Sequence, residues 1–166
     1  MANSYEVRAR KFIEQIFPMI DSFTDEDTII ENVRIFNMLY HRKVHVASGL
    51  TRIALITSDY VVKFDYSEHN VSVWGGCENE METYSEAEAD GFAYLFAKIT
   101  RYTFEGHTFY IMPRVYGIGR KEDDAWEFMT EEENDWCENH NITDLHNFNY
   151  GWRNGRVCLI DYGARY

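Results

Sequence analysis

The sequence DLHNFN at residues 144–149 is followed by the sequence VCLIDYG at residues 157–163. Asn149 lies five residues after Asp144, and Asp161 lies twelve residues after Asn149. The Asn-Gly dipeptide between the two segments predicts a tight hairpin, which would bring Asp161 back beside the other two side chains. The alternative interpretation is a turn rich in acidic and amide side chains ahead of an edge strand.

The two segments resemble the catalytic and metal loops of the protein-kinase-like fold. The closest variant is found in aminoglycoside and choline kinases and in small phage and bacterial kinase-like proteins, where D-L-H-x-x-N precedes an apolar strand and D-[FWY]-G. The resemblance implies that Asp144 receives the proton of the acceptor hydroxyl and that Asn149 and Asp161 bind Mg²⁺. Phosphoryl transfer depends on positioning and charge neutralisation, and Mg²⁺ prefers oxygen ligands, so these residue types suit the chemistry. We expect His146 to brace the loop.

The same resemblance extends upstream to the strand predicted at residues 60–64. Its Lys63 would bind the α- and β-phosphates of ATP, and strand alternation places Val61 on the same face as Lys63. A helix predicted at residues 78–97 should supply the glutamate that orients this lysine. Glu80 fits best because apolar residues follow it at helical spacing, and Glu82 is the alternative.

The nucleotide site implied by the resemblance has two further members, Gly49 and Met112. Gly49 is the single glycine of residues 47–52, which stand where kinases often have a loop with three glycines. Backbone binding of phosphate is therefore poorly specified in this chain. Ile142 and Thr143 replace the residues that usually precede the catalytic aspartate.

The order of predicted elements indicates an α+β fold with adjacent antiparallel strands. Helical periodicity predicts two helices at the start of the chain. The second begins at a cap formed by Thr24 or Asp25 and ends near residues 42–43, where cations suit the C-terminal end of a helix. A further region, acidic and helical, is predicted at residues 122–139. The segments predicted as helices or strands are 4–20, 26–43, 44–47, 52–57, 60–64, 78–97, 99–104, 108–115 and 122–139, followed by a strand pair around the Asn-Gly turn.

Combined with the resemblance, these elements predict a truncated protein-kinase-like fold in three parts that form one compact unit. Residues 1–43 would be a helical pair, residues 44–115 an N-lobe-like five-stranded antiparallel sheet with its helix, and residues 116–166 a much reduced C-lobe. The sequence continues for only three residues after Gly163, so we expect no activation segment and no platform for a peptide substrate.

The composition narrows the possible partners. A net charge of −12 argues against general affinity for nucleic acid or anionic membranes, since both require basic surfaces. No apolar run is long enough to span a bilayer, and no secretory signal is expected. Three widely spaced cysteines indicate neither a disulfide framework nor a zinc site, which suits a reducing cytoplasm.

Three functions remain open from the sequence. The first is a minimal ATP- and Mg²⁺-dependent phosphotransferase acting on a small molecule or a partner protein. The second is a catalytically silent kinase-like protein that binds a partner. The third is an acidic inhibitor of a host protein, such as a phage protein that blocks a nucleic-acid enzyme. The complete set of Lys63, Glu80, Asp144, Asn149 and Asp161 favours the first.

Overall fold

A computed structural model describes residues 4–20, 25–49, 52–65, 76–120 and 122–163. The chain forms an α+β structure with two compact units. The first unit contains Met1–Val71 and Thr100–Arg114, and the second contains Ser72–Ile99 and Val115–Tyr166. None of the described helices is long and apolar enough to cross a membrane.

Two helices open the first unit, as the sequence predicts. Helix α1 is Ser4–Ile20 and helix α2 is Glu26–Tyr40. The Asp25 side chain accepts a hydrogen bond from the Thr28 N–H at 2.7 Å, so Asp25 caps α2 and satisfies one of its free N–H groups. Thr24, the other candidate cap, lies outside the described residues.

The five-stranded antiparallel sheet predicted from the sequence is confirmed. The strands are β1 (His45–Ser48), β2 (Arg52–Ile56), β3 (Tyr60–Asp65), β4 (Thr100–Phe104) and β5 (His107–Pro113). Every neighbouring pair in the sheet is antiparallel, and the spatial order is β1-β2-β3-β5-β4. Glu105 and Gly106 form the β4–β5 turn with positive φ angles of 48° and 78°.

The core of the first unit lies between the two helices and one face of the sheet. Val62 and Phe64 of β3 are 0% and 1% exposed and belong to the same apolar cluster as Phe12 and Phe36 of the helices. The rings of Phe12 and Phe36 meet edge to face at 5.7 Å, a favourable aromatic arrangement. Because side chains alternate along a strand, Lys63 lies on the opposite face from this cluster.

In the second unit, the described residues form two α-helices and a hairpin. Helix α3 is Cys77–Asp90, helix α4 is Glu131–Asn139, and the hairpin pairs β6 (Tyr150–Arg153) with β7 (Arg156–Leu159). A parallel bridge between Phe96 and Leu159 joins the segment after α3 to this hairpin.

The prediction of one helix over residues 78–97 is wrong at its C-terminal end. Helix α3 ends at Gly91, which adopts φ 86°, and the Phe92 N–H bonds the Ala87 carbonyl at 2.7 Å. A glycine in the left-handed region is a common helix terminator, because it has no Cβ to clash there. A short 3-10 helix, Ala93–Leu95, follows.

The prediction of one helix over residues 122–139 is also wrong. The segment contains a 3-10 helix, Ala125–Phe128, and then α4 begins anew after Thr130. Thr130 and Glu133 form a capping box, in which the Thr130 hydroxyl accepts from the Glu133 N–H and the Glu133 carboxylate accepts from the Thr130 N–H at 2.7 Å. This motif marks a helix start and overrides the acidic helical composition of the whole stretch.

Candidate functional site

The β6–β7 hairpin brings the two sequence motifs of the second unit together. Its turn residues, Asn154 and Gly155, have φ angles of 53° and 77°, the left-handed values that an Asn-Gly hairpin turn requires. At the open end of the hairpin, the Asn149 carbonyl accepts the Ile160 N–H at 2.8 Å and the Asp161 N–H at 3.4 Å. The predicted return of Asp161 to the neighbourhood of Asn149 is therefore confirmed.

The Asn149 side chain orients the loop that carries Asp144. Its Nδ2 donates to the main-chain carbonyl of Asp144 at 2.9 Å, and the residue is 6% exposed. This bond fixes which way the amide faces. With the amide nitrogen bound to a protein acceptor, Oδ1 is the atom of this side chain that suits a hard cation.

His146 braces the same loop, as expected. Its Nδ1 accepts the Phe148 N–H at 3.2 Å. Nε2 lies 3.2 Å from Nδ2 of Asn149, and the ring tautomer decides which atom of this pair donates. Nε2 also lies 3.2 Å from Oδ1 of Asp144, which is within ion-pair distance if the ring is protonated. The Asp144 side chain keeps 38% of its surface exposed.

The tyrosine of the Asp-Tyr-Gly segment anchors it to the chain after α3. The Tyr162 hydroxyl donates to the Ala97 carbonyl at 2.6 Å, and its ring packs edge to face on Phe96 at 4.8 Å. Burial raises the pKa of Tyr162 well above its usual range, and the nearby Glu80 carboxylate adds to the increase. The hydroxyl therefore stays protonated and remains a hydrogen-bond donor.

Helix α3 places the two candidate glutamates in different environments. Glu80 is fully buried, whereas Glu82 is exposed. The influence of Glu80 on the Tyr162 pKa puts this carboxylate close to the Asp-Tyr-Gly segment. Asn79 also reaches that segment, because its Nδ2 donates to the Gly163 carbonyl at 3.2 Å. No local sequence pattern distinguishes Asn79 from the other polar residues of an acidic helix, so the sequence does not predict this contact.

The remaining residues assigned to the nucleotide lie in the first unit. Lys63 pairs with Tyr110 across β3 and β5, and Val61 pairs with Met112. Directly paired residues share a face, so Lys63, Val61 and Met112 lie on the face opposite Val62. The predicted alternation along this strand is confirmed. Lys63 is 9% exposed and Met112 is 2% exposed.

Gly49 begins the turn after β1. Its N–H donates to the Arg52 carbonyl at 2.9 Å, and a Cβ at this position would lie 4.0 Å from that carbonyl, an ordinary contact distance. Neither close packing nor a positive φ thus requires glycine here. Leu50 and Thr51, the centre of the expected phosphate loop, lie outside the described residues.

The donor atoms of Asn149 and Asp161 fit a magnesium ion that is shared with phosphate groups. One amide oxygen and one carboxylate are hard ligands, and Mg²⁺ is commonly held by one or two carboxylates together with substrate phosphates and water. Within the described ranges, no group of three or more His, Cys, Asp and Glu side chains could hold a metal ion. A metal bound by protein side chains alone is therefore not indicated there.

Comparison of the chain with protein-family models and with curated proteins finds no match. A function for this chain is therefore inferred from its own residues and their arrangement.

Proposed function

We propose that the chain is a minimal ATP- and Mg²⁺-dependent phosphotransferase of the protein-kinase-like fold, whose acceptor is a small molecule or a partner protein. The observation that carries the proposal is the double use of Asn149. Its side chain holds the Asp144 loop, and its main-chain carbonyl holds Asp161. The three residues that the motif resemblance assigns to proton acceptance and metal binding are thus linked by hydrogen bonds within one unit.

In this mechanism, Asp144 orients the acceptor hydroxyl and receives its proton. His146 supports that role by its position, because its Nε2 lies 3.2 Å from one carboxylate oxygen of Asp144 and leaves the second oxygen for the acceptor. Asn149 Oδ1 and the Asp161 carboxylate would hold Mg²⁺. When bound, the cation would neutralise charge on the phosphates.

The other roles follow the resemblance. Lys63 would bind the α- and β-phosphates, and Gly49 and Met112 would contact the nucleotide. The resemblance also makes Glu80 the residue that would orient Lys63, with Glu82 as the alternative; Glu80 is buried and Glu82 faces solvent.

Calorimetric titration with ATP, in the presence and absence of Mg²⁺, tests the proposal. We expect binding that requires Mg²⁺ and that Asp161→Ala abolishes, because this variant removes the charge that balances the cation. Asp135→Ala is the matched control, since Asp135 is an exposed carboxylate on α4. In a thermal shift assay, ATP at a hundred times its dissociation constant should add about 2.7 kcal/mol of stability. Equal binding by wild type and Asp161→Ala would show that the metal assignment is wrong.

A second candidate is a catalytically silent kinase-like protein, for example phage-encoded, that binds or inhibits a host protein through its acidic surface. The first turn of α4 carries the exposed carboxylates of Glu131 and Glu132, and Trp126 nearby is 53% exposed. An exposed aromatic beside acidic side chains suits a protein interface. This candidate predicts that any cellular effect of the protein survives Asp144→Asn and is lost on Trp126→Ala.

A further inference from the structure

A cleft of about 380 Å³ opens in the first unit, lined by α1, by the residues after α2 and by the β2–β3 turn. Four cationic side chains line it: Arg8, Lys11, Arg42 and Lys43. The carboxylate in the lining is that of Asp59. The whole chain has 28 acidic and 16 basic residues, so this cleft reverses the prevailing charge.

Among the described residues, one of these four cations is paired with a carboxylate. Nε of Arg8 donates to Oδ2 of Asp59 at 2.7 Å, so the carboxylate that lines the cleft is already paired with Arg8. Lys11, Arg42 and Lys43 are exposed, and none of them forms an ion pair with a carboxylate within the described part of the chain. The helix dipole favours cations after the C-terminal end of α2, where Arg42 and Lys43 lie. That effect does not explain why α1 contributes two further cations to the same cleft.

The base of the cleft is formed by packed, buried rings and a hydrogen-bonded turn. The rings of Phe12 and Tyr60 lie 5.9 Å apart and are 5% and 6% exposed. The turn that bears Asp59 is held by the Thr57 hydroxyl, which donates to the Tyr60 carbonyl at 2.7 Å. Burial raises the pKa of Tyr60 and Asp59 adds to this, whereas Arg42 and Arg8 oppose it, so both guanidinium groups lie near the phenol.

We propose that this cleft binds a small, multiply phosphorylated molecule. Arg and Lys are the side chains that bind phosphate oxygens most strongly, and two of each converge here. The volume lies at the low end of the range of about 300–1,000 Å³ that small-molecule sites occupy. The inference does not depend on the proposed phosphotransferase activity, because it uses none of the residues assigned to that reaction.

The short range of the electrostatic attraction favours a small anion over an extended one as the ligand of this cleft. At physiological ionic strength a charge is screened beyond about 8 Å, so a small phosphate compound in the cleft is attracted mainly by the nearby cations. A nucleic acid would run past the cleft over a surface whose net charge is −12, and that surface would repel it.

Calorimetric titration of the full chain with sodium triphosphate, in EDTA so that no metal site contributes, tests this site. We expect wild-type binding, and a loss of at least about tenfold in the Arg42→Gln/Lys43→Gln double variant, because charge-assisted hydrogen bonds to phosphate are removed. Arg34→Gln/Lys98→Gln is the control, since it changes the net charge equally at two exposed positions outside the cleft. It should bind within about twofold of wild type, because distant charges are screened.

Two single variants sharpen the test. Asp59→Asn should bind triphosphate more tightly than wild type, because it removes the opposing carboxylate and releases Arg8. Lys11→Gln should bind more weakly, and it gives a second measurement if the double variant is unstable. Asp161→Ala should bind triphosphate as the wild type does, which separates this site from the proposed magnesium site.

Three results would overturn the proposal. The first is no triphosphate binding by the wild type. The second is equal weakening in the double variant and its control, which would indicate a general charge effect. The third is sedimentation with anionic phospholipid vesicles without any triphosphate binding, which would assign the cations to a lipid surface.

Discussion

The side-chain amide of Asn149 donates to the main-chain carbonyl of Asp144 at 2.9 Å, so the residue assigned to the metal also fixes the loop of the residue assigned to the acceptor. The main chain of Asn149 accepts from Ile160 at 2.8 Å on the other side. A single, 6% exposed residue therefore connects both motifs, and its replacement should affect structure as well as chemistry.

Asn149→Ala should lower the free energy of unfolding by about 1–3 kcal/mol, because it removes a buried hydrogen bond and leaves the Asp144 carbonyl without its side-chain donor. Asn147→Ala is the matched control in the same loop. The Asn147 main-chain carbonyl accepts the Gly119 N–H, and that bond survives the substitution. Urea unfolding should place the control within about 0.5 kcal/mol of wild type. Equal stability of the two variants would refute the bracing role.

Tyr162→Phe should lower the free energy of unfolding by about 1–3 kcal/mol, because the Ala97 carbonyl loses the donor that now lies 2.6 Å away in a buried environment. Tyr40→Phe makes the same chemical change at a residue that is 45% exposed. It should have little effect in the same urea measurement. If the two variants lose equal stability, the Tyr162 bond does not anchor the Asp-Tyr-Gly segment.

The stability of the protein should fall at alkaline pH because of two buried thiols. Burial raises the pKa of Cys158 to about 11 and that of Cys137 to about 12, from an ordinary value of 9.0. Above pH 9.0 these thiols ionise in the unfolded chain and stay protonated in the folded one. Stability is therefore fully present below the unfolded pKa and is lost as the pH rises toward the folded values.

Each thiol can contribute at most about 1.4 kcal/mol per pH unit to this decline. Urea unfolding between about pH 8 and about pH 10 should show a steeper decline for the wild type than for Cys137→Ala/Cys158→Ala. Parallel profiles for the two proteins would exclude the thiols as the cause.

The sequence predicts the helices and strands of the first unit well, because the patterns that indicate them are local. Strand alternation around Lys63 and a helix cap at Thr24 or Asp25 are local signals; the structure confirms the alternation and shows that Asp25 is the cap. Asn154-Gly155 is equally informative, because few dipeptides adopt two consecutive positive φ angles.

The errors arise where a local terminator competes with a longer pattern. The helical pattern predicts a helix to residue 97, but Gly91, which has no Cβ, ends the helix after Asp90. The capping box at Thr130 and Glu133 is itself visible in the sequence, yet acidic composition alone favours a continuous helix. The Asn79–Gly163 bond joins residues far apart in the chain, so no local pattern could reveal it.

The two glutamates of α3 that the sequence leaves open differ in burial. Glu80→Ala should destabilise the protein by more than about 1 kcal/mol, because it empties a fully buried position and removes polar contacts. Glu82→Ala should lie within about 0.5 kcal/mol of wild type, because Glu82 is exposed. In titrations with Mg²⁺-ATP, only the Glu80 substitution should weaken binding. Loss of binding in Glu82→Ala alone would reverse the assignment.

The proposed role of Asp144, which is to accept a proton during phosphoryl transfer, is tested by Asp144→Asn. Asparagine keeps the size of the side chain beside Nε2 of His146, which lies 3.2 Å from Oδ1 of Asp144, and removes the negative charge. Phosphoryl transfer from labelled ATP, or slow ATP hydrolysis, should fall at least about a hundredfold, the low end of the range for general-base catalysis. Mg²⁺-ATP affinity should stay within a few-fold, and Asp135→Asn should leave both quantities unchanged. Full activity in Asp144→Asn would show that Asp144 does not accept the proton.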